Sequence, residues 1–291
     1  MKKCRGTFAL SGLGQRRGYK WAKRQLCLAV CGILSCLATT PGLAVEPLTR
    51  MHAHNDYEHP HPLTDALAAG FCSVEADIYV VDGQLLVAHE LQQTRPGRTL
   101  QSLYLDPLRE KIGTNNYVLA PNDGFTLLID IKTNGVETYQ VLKSVLARYS
   151  DLLTHFTDTS LTRGAVTVVL SGARPEELVQ ADPERLCAID GKLADLELNP
   201  SRYLVPWISD KWSTVFTWKG KGKMPEAERQ KLRELTRRAQ AQGRRIRFWG
   251  APDNPAVWRE LFDANVDLIN TDHLNGLRDF LLAQKNPHPP S

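Results

Sequence analysis

No Cys-x-x-Cys pair occurs anywhere in the sequence, and beyond residue 44 only two cysteines remain, Cys72 and Cys187. A structural zinc site of the usual thiolate type is therefore excluded. The two thiols could pair in an oxidising compartment, but both lie in apolar, strand-like runs where buried free thiols are the expected state. A glycine-rich phosphate loop after the first strand is missing too. His54-Asn55-Asp56 stands in that place, which argues against an open doubly wound sheet. From Val45 onward there is no repeat, no low-complexity linker and no break in composition, so one domain is expected. Acid is absent from the first 44 residues, which carry eight Lys or Arg. An apolar run from Leu26 to Ala38, too short for a comfortable membrane span, leads to Pro41 and small residues up to Ala44. That pattern predicts a secretory leader cleaved after Ala44 and a periplasmic or secreted protein. Ile33-Leu34-Ser35-Cys36 is an alternative, lipoprotein-like reading. The whole chain has 36 basic and 32 acidic residues; without the leader's eight, 28 face 32, a net charge near −4. The basic balance belongs to the leader, and no nucleic-acid partner is expected.

Apolar alternation marks strands near Met51, Val74, Leu128, Val168, Ala188, Leu204, Ile246 and Leu268, with helical spacing between most of them. Such alternation predicts an α/β fold, a single (β/α)8 TIM-type barrel over residues 45–284, followed by a disordered tail at 285–291. Pro206 weakens the strand reading of YLVPWISD. The loop from Trp212 to Lys223 mixes aromatics with lysines, and three uses suit it: a lid, a contact with a lipid surface, or a solvated loop with a tucked tryptophan.

The chemistry gathers between Thr49 and Glu90. Side chains two apart on a strand share a face, so Glu75 and Asp77 point the same way, as do His52 and His54. The short run LLVAH carries His89. In LLIDIKT the same parity sets Leu128, Asp130 and Lys132 together. A buried acidic group flanked by apolar residues is costly unless a cation accompanies it. Glu75, Asp77 and Asp130 thus form a candidate all-oxygen site for Mg²⁺ or Ca²⁺. Lys132, one layer higher, is placed to hold an anionic oxygen, or simply to pair with Asp130. Two histidines beside a hard cation suit phosphodiester cleavage, one taking a proton from the attacking oxygen and the other protonating the leaving oxygen. His89 is one candidate. His54 is the other, nearer the mouth than His52, which takes a supporting role.

AHNDY, SVEADIYVVDGQLLVAHE and LLIDIKT together resemble the superfamily of glycerophosphodiester phosphodiesterases and phosphatidylinositol-specific phospholipases C. Within it, bacterial members and the altered-inheritance-of-mitochondria type share the HNDY-like opening. The metal motifs are also similar to those of sphingomyelinase D. The resemblance implies catalytic roles for His54 and His89, metal ligation by Glu75, Asp77 and Asp130, and a phosphate contact from Lys132. Trp249 falls on the family's tryptophan-bearing strand, and VDLINTD resembles its closing strand. Those phosphodiesterases open with His-Arg-Gly, whereas Asn55 and Asp56 follow His54 here. The phosphate-contacting arginine is therefore absent; Arg174 is a candidate substitute, and Asn55 a candidate substrate contact. The substrate class implied is a small phosphodiester or a phospholipid head group, with peripheral membrane contact in the latter case. Two rival readings are a zinc amidohydrolase or a polymerase-and-histidinol-phosphatase-type hydrolase built on His52-x-His54, and a catalytically silent ligand-binding barrel.

Overall fold

The computed structural model describes residues 45–285, so the expected leader and residues 286–291 of the expected tail lie outside it. Its strands are β1 (Met51–Ala53), β2 (Ser73–Val81), β3 (Gln84–Val87), β4 (Phe125–Ile131), β5 (His155–Phe156), β6 (Leu161–Thr162), β7 (Val166–Gly172), β8 (Ala188–Gly191), β9 (Trp207–Lys211), β10 (Arg245–Trp249) and β11 (Ile269–Thr271). Eight of them pair in parallel in the order β10-β9-β8-β7-β4-β2-β1-β11. The two ends meet where the Leu268 amide donates to the Ile246 carbonyl at 3.2 Å, so the barrel is nearly closed. This is the (β/α)8 architecture expected from the alternation.

Helices cover the outside: α1 (Thr64–Ala68), α2 (Asp106–Ile112), α3 (Gly135–Ala147), α4 (Glu176–Ala181), α5 (Asp195–Leu198), α6 (Trp212–Val215), α7 (Glu226–Ala241), α8 (Pro255–Asp263) and α9 (Leu274–Lys285). Helix α9 takes in Lys285, one residue beyond the expected barrel limit. Local chemistry sets several of the helix starts. The Asn134 side chain accepts from the Val136 and Glu137 amides at the head of α3, and Asn254 does the same for Ala256 and Val257 ahead of α8. Caps of this kind stabilise by about 1 kcal/mol each.

Strand parity divides the interior in two. Leu127, Ile129 and Ile131 of β4 point outward into the large core beneath the helices. Leu128 points inward and forms a small separate cluster with Val169, Trp207 and Leu268. That apolar floor separates the two ends of the barrel. One expected strand starts late: β9 begins at Trp207, because Pro206 has no amide to give the ladder. Its carbonyl still accepts from the Arg245 amide at 2.9 Å.

Candidate active site

Register brings the acids together. Asp77 of β2 lies directly beside Asp130 of β4, and Glu75 sits one layer lower on the same inward face. One oxygen from each of the three lies within 4.8 Å of the others. Among the described residues, no other trio of His, Cys, Asp or Glu is so placed. Burial, then the neighbouring Glu75 carboxylate, push Asp77 up to about 6, and burial raises Asp130 as well. Glu75 goes the other way. Burial opposes its charge, but the His52 hydrogen bond and the Arg247 guanidinium outweigh burial and hold it well below the usual carboxylate range. Asp77 Oδ1 and Asp130 Oδ1 are buried and accept no hydrogen bond. Two orphaned carboxylate oxygens and an all-oxygen donor set fit a hard divalent cation. Gly172 makes room for this: a Cβ there would lie 1.9 Å from Asp130 Oδ1.

The lysine reaches the same carboxylates. Lys132 Nζ lies 2.6 Å from Asp130 Oδ2 and 3.0 Å from Asp77 Oδ2. Burial works against its charge, but the two carboxylates prevail and raise its pKa. Beneath the acids, His52 is completely buried. His52 Nε2 lies 2.8 Å from Arg247 Nη1 and 3.1 Å from Glu75 Oε2, and Nδ1 lies 2.7 Å from Ser73 Oγ. Burial pushes its pKa down to about 4, so the imidazole is neutral near pH 7. His52 is a packing and positioning group under Glu75, shut off from the mouth where a substrate would lie.

The mouth holds the other two imidazoles. His54 Nδ1 meets Asp272 Oδ1 at 2.8 Å. Burial disfavours its charge, yet the Asp272 hydrogen bond and the Glu75 field more than compensate, so its pKa is raised. His89 arrives by a hairpin. Asp82 and Gly83, both at positive φ, turn β2 into antiparallel β3, pairing Ile78 with Val87. That register carries His89 Nδ1 to 3.7 Å from Asp77 Oδ2.

Residues 43–186 match the AIM6-like phosphodiesterase domain, and residues 245–275 match the glycerophosphoryl diester phosphodiesterase family. Altered inheritance of mitochondria protein 6 from Eremothecium gossypii is 30% identical across 81% of this chain and 70% of its own. The chain belongs to the AIM6-like phosphodiesterase family. An AIM6 homolog from Arthroderma benhamiae is 28% identical, over 79% of this chain and 83% of its own. A glycerophosphodiester phosphodiesterase crystal structure from Parabacteroides distasonis aligns with 82% of this chain and 99% of its own, at 14% identity and a TM-score of 0.48.

This AIM6-like site also contains groups that the sequence reading passed over. The Tyr57 hydroxyl donates to Asp77 Oδ2 at 2.8 Å and faces His89 Nδ1 at 3.1 Å. Burial and the Asp77 charge raise the pKa of the phenol, so it keeps its proton for that bond. Asn55, in the left-handed region at φ 47°, sets its amide 2.9 Å from the same hydroxyl. Arg247 spans Glu75 (3.1 Å) and Asp190 (3.3 Å) inside the barrel. Trp249 stands at the mouth beside Lys211, whose ammonium lies 5.5 Å from the ring.

Arg174 is engaged elsewhere, 2.7 Å from Glu176 and hydrogen-bonded to the Gly172 carbonyl. His155 and His273 lie apart from the acids, against the Ser150 carbonyl and Asp253 respectively. In the loop after β9 the aromatics turn inward: Trp212, Phe216 and Trp218 are buried, with the Trp212 indole donating to the Trp218 carbonyl at 2.8 Å. Lys219, Lys221 and Lys223 remain exposed. Cys72 and Cys187 are both buried free thiols.

Proposed function

We propose that this AIM6-like protein is an exported, metal-dependent phosphoric diester hydrolase acting on a glycerophosphodiester or a phospholipid head group. The observation that carries the reading is the pair of imidazoles, His54 and His89, flanking a carboxylate trio with two unsatisfied oxygens. The family's phosphodiesterase description and the acid-free basic leader support it further. A Mg²⁺ or Ca²⁺ ion held by Glu75, Asp77 and Asp130 would neutralise charge on the phosphoryl oxygens.

The remaining work falls to the chain's own groups. His54, backed by Asp272, takes the proton of the attacking hydroxyl through Nε2, and the Asp272 carboxylate stabilises the imidazolium that forms. His89, steadied by Tyr57, gives a proton to the leaving oxygen. Lys132 supplies positive charge at the phosphate, and Trp249 and Asn55 flank the substrate at the mouth. If the substrate is a phospholipid, contact with an anionic surface rests on the exposed Lys219, Lys221 and Lys223, since the neighbouring aromatics are buried.

The test is turnover of glycerophosphocholine, glycerophosphoinositol and bis(p-nitrophenyl) phosphate by purified protein with Mg²⁺ or Ca²⁺. Cleavage that stops on adding EDTA is expected. No cleavage of any substrate with either ion, or cleavage indifferent to EDTA, would overturn the proposal.

A further inference from the structure

The barrel has a second opening at the end opposite the acids. Thr126, Thr167 and Trp207, facing inward at the starts of their strands, help line a cavity of about 610 Å³. Asp130 stands four residues beyond Thr126 on β4, about 13 Å further up at the usual rise of a strand. Leu128 stands midway between them and belongs to the apolar floor of Leu128, Val169, Trp207 and Leu268, so cavity and acids occupy different ends.

Four arginines line the cavity: Arg50, Arg163, Arg202 and Arg245. Elsewhere Arg229, Arg237 and Arg247 find carboxylates at 2.5, 2.7 and 3.1 Å. The four cavity arginines make no such ion pair among the described residues. Arg50 donates to the Val266 and Phe262 carbonyls, and Arg245 to the Thr49 carbonyl at 2.9 Å. Arg202 stacks over the Tyr203 ring at 5.0 Å, and Arg163 is exposed. Burial lowers the pKa of Arg50 and Arg245, outweighing the Asp267 field at both and the Asp263 field at Arg50. Asp123 and Asp267 also line the space, but Asp267 Oδ2 already accepts from the Ile246 amide and the Gln240 amide group. Four cations thus face two acids, between walls formed by Phe156, Tyr203 and Trp207.

Guanidinium groups bind carboxylate and phosphate oxygens bidentately, and aromatic walls match an apolar body. We propose that this cavity is a binding site for a small organic oxyanion, a phosphate monoester or a carboxylate carried on an aromatic or apolar body. The site is separate from the acidic mouth, and its occupancy does not depend on the chemistry proposed there.

Calorimetric titration of the full chain with phenyl phosphate, benzoate and inorganic phosphate tests this, with EDTA present so that no metal at the mouth recruits the anion. Saturable binding of phenyl phosphate or benzoate is expected in wild type and in His89→Ala. It should weaken by at least about tenfold in the Arg163→Ala/Arg202→Ala double variant. The Arg163→Gln/Arg202→Gln pair, which keeps more of the side-chain length, must show the same loss. A preference for phenyl phosphate over benzoate identifies the phosphate monoester, and the reverse identifies the carboxylate. Three outcomes overturn the proposal: no saturable binding of either aromatic probe, undiminished affinity in both arginine pairs, or loss of binding in His89→Ala.

Discussion

The two ends of this barrel are built from the same eight parallel strands, yet they gather opposite charge. At the mouth, Glu75, Asp77 and Asp130 crowd together, and Lys132 reaches only two of them. At the other end, four guanidiniums line one cavity with two acids, Asp123 and Asp267, and none of the four makes an ion pair among the described residues. Between them lies an apolar layer, with Trp207 touching His52 edge-on at 5.8 Å on the mouth side. The difference shows how far apart a barrel can hold unbalanced charges: strand parity gathers the acids at one end, while loops and strand starts bring the arginines together at the other. Uncompensated charge at either end marks a place where a ligand of the opposite sign is favoured.

Breaking the mouth should have the largest effect. His54→Ala and His89→Ala should each lower kcat/KM by about 10²- to 10⁴-fold, the usual contribution of a positioned acid or base. Arg163→Ala, at the opposite end, should leave turnover unchanged in the same assay.

A second prediction concerns Asp56, a fully buried acid at the mouth end, held by the Leu63 amide at 2.6 Å and the Tyr104 hydroxyl at 3.0 Å. Burial pushes its pKa up to about 6. The folded chain therefore binds this proton more tightly than the unfolded chain, so this group's contribution to stability declines as pH rises from about 4 to 6. Above that window its ionisation costs up to about 3 kcal/mol. Thermal melts of Asp56→Asn against pH should lack this decline, the variant gaining on wild type at pH 7 relative to pH 4. Parallel profiles for the two proteins would contradict it.

The smallest expected effect is a displacement along the pH axis. Asp272 keeps the His54 pKa raised, so Asp272→Asn should lower it. A base with a lower pKa is free at lower pH, and the acidic limb of kcat/KM should move to lower pH. An unmoved limb would remove Asp272 from its role behind His54.

Much of the mouth was legible in the sequence because period-two alternation is a strict rule. It places Glu75 with Asp77 and Asp130 with Lys132 from the sequence alone. The same rule applied to RIRFW turns Arg247 inward beside Trp249, but period alone does not show that an inward arginine reaches Glu75 and Asp190. Tyr57 was visible within AHNDY, yet nothing in its spacing showed that a turn through Asn55 at positive φ would bring its hydroxyl to Asp77. Asp272 follows a strand of only three residues, too short for periodicity to reveal its direction. The reach of Arg174 was beyond sequence reasoning, since a long flexible side chain chooses its partner from the tertiary surroundings, here Glu176. The cavity at the other end was hidden for a related reason: its four arginines come from four separate stretches of chain that only barrel closure brings together.

Glu75, Asp77 and Asp130 are proposed to hold one hard divalent cation. Calorimetric titration of metal-free protein with Mg²⁺ and with Ca²⁺, comparing wild type with Asp130→Asn, tests this most directly. A single saturable site for at least one of the two ions is expected in wild type, lost or weakened at least about tenfold in the variant. Absence of saturable binding in wild type, or equal binding by both proteins, would contradict it.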